Sequence, residues 1–236
     1  MNRSTGGQGR RLVVVAGAVM LAAVVAAAQS RTGSAGRGGR ASGADTCRLK
    51  DPTQLTETAP DVFRARFTTN IGAFVIEAHR DWAPLGADRF YNLVKNGFYD
   101  GTRFFRVLDG FMAQFGLNGD PEIQAAWQTA SLADEPVKQS NRRGYVTFTR
   151  ESGAHSRYTM VFINDKDNSY LDADRFAPFG QVVAGMDAVD KLYSGYGRTN
   201  VPDQRRIVRE GNAYLQQEYP KLDFVRTAII ERVPNR

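Results

Sequence analysis

The chain is poor in the side chains that most often carry chemistry. Of its 236 residues one is a cysteine, Cys47, and two are histidines, His79 and His155. A lone cysteine excludes an internal disulfide framework and a cysteine-rich metal site. Zinc needs three or four ligands at recognisable spacings, and none of those spacings occurs. A Gly-x-Ser-x-Gly elbow and a glycine-rich phosphate loop are both missing, so nucleophilic and nucleotide chemistry lack their usual signatures. No metal or cofactor is implied. Acidic residues are outnumbered, for a formal charge of +6, but the excess is local. Residues 1–46 hold six Arg and one Asp, and the remaining 25 basic and 24 acidic residues nearly cancel. That balance gives no reason to expect nucleic acid as a partner.

Long apolar runs are also scarce; there is one, the 17 residues Leu12–Ala28. Arg3, Arg10 and Arg11 precede it and Ala26, Ala27 and Ala28 end it, the pattern of a secretory signal. The positive flank keeps the N-terminus in the cytoplasm while the run enters the membrane. The length is at the lower limit for a spanning helix, so residues 1–28 read as a signal peptide or a membrane anchor. Arg10-Arg11 lacks the rest of a twin-arginine motif. A stretch rich in Gly, Ser, Ala, Thr and Arg follows. Over residues 29–45 it cannot bury enough apolar surface to order itself and is expected to be a flexible tether, within a flexible linker and lead-in set at residues 29–61. The expected location is therefore exported: periplasmic, or anchored and facing the periplasm. Any membrane contact runs through the leader alone.

With 42% hydrophobic residues, the rest of the chain has the material for a globular body, set at residues 62–236. Phe63, Ala65 and Phe67 alternate with polar neighbours, Thr68–Gly72 is a turn, and Phe74, Ile76 and Ala78 alternate again, which predicts a strand pair. Pro84 opens a helix through Ala87, Phe90, Leu93 and Val94, closed by Gly97. Strands are expected over Thr102–Leu108, Phe111–Gln114, Tyr145–Phe148, Met160–Ile163, Phe179–Val183 and Phe224–Val233. A short helix is expected at Asp120-Pro121, a second packed helix at Met186–Leu192, and a C-terminal helix at Arg205–Glu218. Many short strands with few helices indicate a mainly β fold, a closed antiparallel barrel capped by two helices with an extra C-terminal helix.

The stretch Gly97–Gln114 stands out, with Arg106 on a short strand among aromatics and Phe111, Met112 and Gln114 close behind. It resembles the signature of the cyclophilins, in which a Phe-Tyr-Asp-Gly-Thr turn precedes Phe-His-Arg-Val-x-x-Gly-Phe-Met-x-Gln. Further matches follow in order: Thr68-Thr69 with Gly72 and Phe74, Ala83-Pro84 with Asn92, Asp134-Glu135, Gly144 with Val146, Phe162-Ile163, Leu171-Asp172, Phe179-Gly180 with Val182, and Gly185-Met186. The resemblance is dense over residues 62–192 and looser beyond. Asn141–Gly144 and Gly211-Asn212 are similar to a bacterial exported branch.

The resemblance implies a prolyl cis/trans isomerase that assists the folding of exported proteins, with proline-containing unfolded or extended polypeptides as partners; a monomer is expected. It implies that Arg106 is the catalytic donor and that Gln114 orients it. Phe111, Met112, Phe162 and Leu171 would line the proline pocket, and the backbone of Arg150 would pair with an extended substrate. The chain departs from the family at five positions. Phe105 replaces a histidine, Tyr170 a tryptophan or phenylalanine, Thr149 an alanine and Met160 a glutamine beside the substrate. The family's pocket histidine falls near Arg175 or Phe176. Thr149 and Met160 keep a second reading open, a non-catalytic peptide-binding module or holdase chaperone on the same barrel. A structural protein held at the membrane by its leader is a third.

Overall fold

A computed structural model of the chain describes residues 47–151 and 153–231. In the first strand, β1 (Val62–Thr69), inward and outward residues alternate: Phe63, Ala65 and Phe67 are buried while Arg64 and Arg66 face solvent. The outward arginines pair across the sheet, Arg64 with Glu77 at 2.8 Å and Arg66 with Glu231 at 2.6 Å. β1 is followed by β2 (Ala73–His79), β3 (Arg106–Leu108), β4 (Met112–Phe115), β5 (Tyr145–Arg150), β6 (Arg157–Asn164), β7 (Pro178–Ala184) and β8 (Val225–Glu231), of which β4 and β6 are buried along almost their whole length.

These eight strands form one antiparallel sheet in the order β3-β4-β6-β5-β7-β2-β1-β8. Its two edges are joined. Ahead of β3, Gly101 N and Phe104 N donate to the carbonyls of Val225 and Asp223 at 2.8 and 3.0 Å, and Val225 N donates to Thr102 O at 2.9 Å. These bonds and the bridge between Arg103 and Phe224 tie the two ends of the curled sheet together ahead of β3, in keeping with the expected barrel. Strand character over the expected Thr102–Leu108 is confined to the bridge at Arg103 and to β3, because Gly101–Phe104 is used to bind the segment entering β8.

Aromatic rings fill the interior. Phe67 stacks on Phe74 at 5.1 Å, Phe104 packs on Phe115 at 4.9 Å and Phe148 on Phe179 at 5.1 Å. Helix α1 (Pro84–Lys95) closes one side with Phe90, Leu93 and Val94. Its N-cap residue, Ala83, offers no side-chain acceptor. Glu135 supplies it from a distant loop, accepting from Leu85 N at 2.6 Å and Gly86 N at 3.1 Å. Arg157 of β6 donates to the same carboxylate at 2.9 Å, and both side chains are buried. The carboxylate thus answers both the helix's unpaired N–H groups and a buried guanidinium.

Two expectations need correction. The folded body begins ahead of Val62. Leu49, Leu55 and Ala59 are buried in the main core, and Trp127 Nε1 donates to Leu49 O at 2.8 Å. Asn92 exchanges hydrogen bonds with the backbone of Glu57, so residues 47–61 are docked rather than a flexible lead-in. The C-terminal helix is not continuous either. Over α4 (Gln204–Glu218), following α2 (Pro121–Trp127) and α3 (Met186–Val189), Gly211 takes φ 59° and ψ −145° and breaks it. There Asn212 N donates to Gly119 O at 3.0 Å, and a Cβ on Gly211 would lie 2.2 Å from that oxygen, so only glycine fits. The leader, the linker up to Thr46 and the end of the expected last strand lie outside the described residues. No helix among those described is long and apolar enough to cross a membrane.

Glu135→Ala removes one partner of a buried ion pair together with a helix cap. It is expected to cost about 3–5 kcal/mol, measured as a shift in the urea unfolding midpoint.

Candidate active site

With the barrel full, the residues that alternate with its core point outward. Ala113 and Phe115 of β4 are core, so Met112 and Gln114 face out; Val161 and Ile163 of β6 are core, so Phe162 and Asn164 face out. Three adjoining strands, β4, β6 and β5, thereby present Gln114, Phe162 and Thr149 on one outer surface.

The β3–β4 hairpin sets Arg106 directly opposite Gln114. Arg106 Nη1 donates to Gln114 Oε1 at 3.3 Å, and Gln114 Nε2 donates to Thr149 Oγ1 at 3.1 Å. Met160 Sδ lies 3.9 Å from the same Nε2. The amide is therefore held by its nitrogen and offers its oxygen to the guanidinium. Arg106 is also set 5.9 Å from the centroid of Phe111. Burial, and then the positive charge of Arg198, push the Arg106 guanidinium below its ordinary value.

Beside this pair lies a cavity of about 150 Å³, lined by Arg106, Phe111, Met112, Gln114, Phe162 and Phe176 together with Thr149, Arg150 and Leu171. Phe162 and Phe176 meet edge to face, 5.7 Å apart at 72°. Polar groups behind the wall fix its shape. Asn141 Nδ2 donates to Asp172 Oδ1 at 2.7 Å and to Phe176 O at 2.8 Å, tying down the turn that carries Leu171 and Phe176. Asn168 Nδ2 donates to Phe111 O at 2.8 Å, and Asp165 N to the same carbonyl at 2.9 Å. What results is an apolar, preshaped slot with the Arg106 guanidinium at its rim.

Nine of the residues expected from the sequence thus meet at one place: Arg106, Gln114, Phe111, Met112, Thr149, Arg150, Phe162, Leu171 and Phe176. Three do not line it. Phe105, one residue from Arg106, points to the other side of the chain and packs with Leu117, Ile207, Tyr214, Leu215 and Leu222. Met160 lies in that same cluster, beneath the Gln114 amide rather than in the slot. Tyr170 is 60% exposed and stands outside the slot. Between the two candidates for the family's histidine position, Phe176 enters the slot. The Arg150 side chain turns to Asp134 Oδ2 at 3.2 Å and to the carbonyls of Gly153 and Asp174, bridging loops. The expectations missed Arg198, 5.7 Å from the Phe111 centroid, for which the chain carries no local signal. They also missed the Asn141–Asp172 tie, hinted at by Asp172 following Leu171.

Burial pushes the Asp172 carboxyl up, but hydrogen bonds from Ser140 and Asn141 outweigh it and hold the group below its ordinary value of 3.8. A carboxylate depressed on folding adds stability that is full above its unfolded value and is lost as pH falls through the folded one. Below about pH 4 the wild-type urea midpoint should therefore fall more steeply than that of Asp172→Asn, which starts lower at pH 7.

The comparisons with known proteins agree with this geometry. The profile of the family described as cyclophilin type peptidyl-prolyl cis-trans isomerase/CLD matches residues 64–211. The chain is 38% identical over 146 residues to the peptidyl-prolyl cis-trans isomerase of Acinetobacter baylyi, covering 58% of this chain and 77% of that one. It is 32% identical over 172 residues to peptidyl-prolyl cis-trans isomerase B of Escherichia coli, covering 67% and 93%. Among solved structures, a Cryptosporidium parvum cyclophilin type isomerase superposes with a TM-score of 0.54 at 16% identity, over 73% of this chain and 99% of that one. A second structure of the same protein, in the presence of the dipeptide Ala-Pro, gives 0.53 at 16% identity, over 72% and 99%. The outer-face slot with its rim arginine and the family match over residues 64–211 thus converge: the chain belongs to the cyclophilin-type peptidyl-prolyl cis-trans isomerases.

Proposed function

We propose that the protein catalyses cis/trans isomerisation of X-Pro peptide bonds in exported polypeptides, with Arg106 as the catalytic donor. The observation that carries this reading is the Arg106 guanidinium held by Gln114 at the rim of a slot walled by Phe111, Met112, Phe162, Leu171 and Phe176. A cavity of about 150 Å³ suits one compact side chain. Sites for drug-sized ligands run to roughly 300–1,000 Å³.

Resonance holds the X-Pro amide planar behind a barrier of about 18–20 kcal/mol. Lowering it needs no nucleophile, metal or proton transfer, only a site that holds the twisted amide better than either planar form. Twisting localises a lone pair on the proline nitrogen. With the proline ring in the slot, a guanidinium N–H at the rim donates to that nitrogen or steadies the neighbouring carbonyl. Arg106 is already oriented by Gln114, so little reorganisation is left for the moment of reaction. Water excluded by the aromatic wall strengthens the contact further.

Thr149 and Met160, the two replacements that keep a non-catalytic module in view, both brace the Gln114 amide. Their placement supports turnover. The arginine-flanked apolar leader supports export, and the folding of exported proteins as the setting. The protein acts as a monomer in this reading.

In a proline peptide followed by NMR exchange, Arg106→Ala should lower kcat/KM about 100- to 1,000-fold, with the fold unchanged by circular dichroism. A folded wild type that does not accelerate exchange, yet binds the peptide, would replace the enzyme by the binding module. For the leader, residues 1–46 placed before a reporter active only outside the cytoplasm should confer activity, and a silent reporter would refute export.

A further inference from the structure

Arg198 stands beside the slot, at the Phe111 ring, and the proposed mechanism leaves it without a task. It sits in the connection between α3 and α4, and its guanidinium carbon lies 5.7 Å from the centroid of Phe111. Arg106 lies 5.9 Å from the same ring, so Phe111 carries two guanidinium groups. The placement is built, not incidental. Tyr196 packs edge to face on Tyr193 at 5.1 Å and on Tyr219 at 5.0 Å, and Tyr193 N donates to Asp223 Oδ2 at 2.7 Å. Gly197, at φ 61°, then turns the chain through a bond from its N–H to Ser194 O at 2.8 Å, and Arg198 follows. Phe111 itself is fixed through its carbonyl by Asn168 and Asp165.

The carboxylate next to this platform, Asp165, is already held by Arg143 at 2.9 Å and by Gly110 N at 2.6 Å. Arg143, Arg150, Arg157 and Arg206 each hold a carboxylate. Among the described residues Arg198 enters no ion pair or side-chain hydrogen bond, and the side-chain partner of Arg106 is the neutral Gln114. The positive charge of Arg198 is felt at Arg106, and no carboxylate offsets it there. Two like charges over one ring cost stability on their own. A ligand that brings a negative charge relieves that cost and is steered to the site.

We propose that Arg198 is a specificity-determining residue that selects proline-containing peptides bearing a carboxylate side chain beside the X-Pro unit. This deepens the isomerase reading and rests on it for the substrate class. Arg106 serves the amide of every substrate, whereas Arg198 meets only the flanking side chain.

The test uses the full chain and matched peptides with Glu, Gln or Lys at the residue after proline, or at the residue before X. At low salt the wild type should favour Glu over Lys about 3- to 10-fold in kcat/KM at one of these positions, the scale of partly exposed ion pairs. The ratio should shrink in 0.5 M NaCl. Arg198→Lys should keep the preference, Arg198→Ala should flatten it, and Arg198→Glu should reverse it. A purely structural role would move all peptides together and leave the ratio alone. An unchanged ratio in Arg198→Glu, or no Glu preference of the wild type at either position, overturns the proposal. If the wild type fails to turn over the Gln peptide, it is the isomerase reading that falls. The Glu-to-Lys ratio is then read from peptide Kd values by NMR titration, where the same reversal supports the role of Arg198 and its absence overturns it.

Discussion

The barrel interior is filled with aromatic rings, and most of what the protein does follows from that. Phe67, Phe74, Phe90, Tyr99, Phe104, Phe115, Phe148 and Phe179 are each at most 1% exposed. Packed at this density the interior has no room for a ligand. The chemistry must use the outer face, and the two-residue period of strands decides what that face carries. Where Phe115, Phe148 and Ile163 turn inward, Gln114, Thr149 and Phe162 must turn outward. The site is the complement of the core.

An outer-face site has to be rigid without the support of a surrounding core. Here that support is polar. Asn141 joins Asp172, the Phe176 carbonyl and Thr147, while Asn164 and Asn168 carry the chain of hydrogen bonds on to Phe111. A buried network of this kind, in which Asn168 Oδ1 alone is left without a partner, favours a single arrangement of the wall. The Gln114 amide extends the same logic to Arg106. Anchored by Thr149 and backed by Met160, it presents an acceptor to Arg106 in one orientation. A residue difference that looks like a loss in the sequence serves as a brace in three dimensions.

Elsewhere the fold depends on partners far apart in the chain. Helix α1 starts with a proline and an alanine cap, and without Glu135 its first N–H groups would have no side-chain acceptor. Arg157 neutralises that carboxylate from β6, so helix, loop and barrel wall share one buried charge pair. Closure of the barrel is equally long-range, linking Gly101–Phe104 to Asp223–Val225. Such contacts cost loop-closure entropy and form only when both ends are held by the rest of the fold.

The elements with strong periodicity are legible in the amino-acid pattern: the β1–β2 pair, α1 from Pro84, and the short strands through β7. The signature around Arg106 is legible too, because hairpin register keeps Arg106, Phe111, Met112 and Gln114 close through local geometry. Side-chain direction at irregular positions is not. Phe105 precedes β3, where strict alternation does not yet hold, and it turns to the C-terminal cluster. Docking of residues 47–61 and the break at Gly211 are also hidden, since both depend on surfaces that other segments build. The sequence by itself determined a mainly β body, its family and the cation at its site, since these rest on local pattern and residue type. Only the tertiary structure decided that Phe176 joins the slot while Phe105 and Tyr170 stay out of it, what steadies Gln114, and that Arg198 stands over Phe111. Those are contacts between residues whose separation in the chain carries no trace of their distance in space.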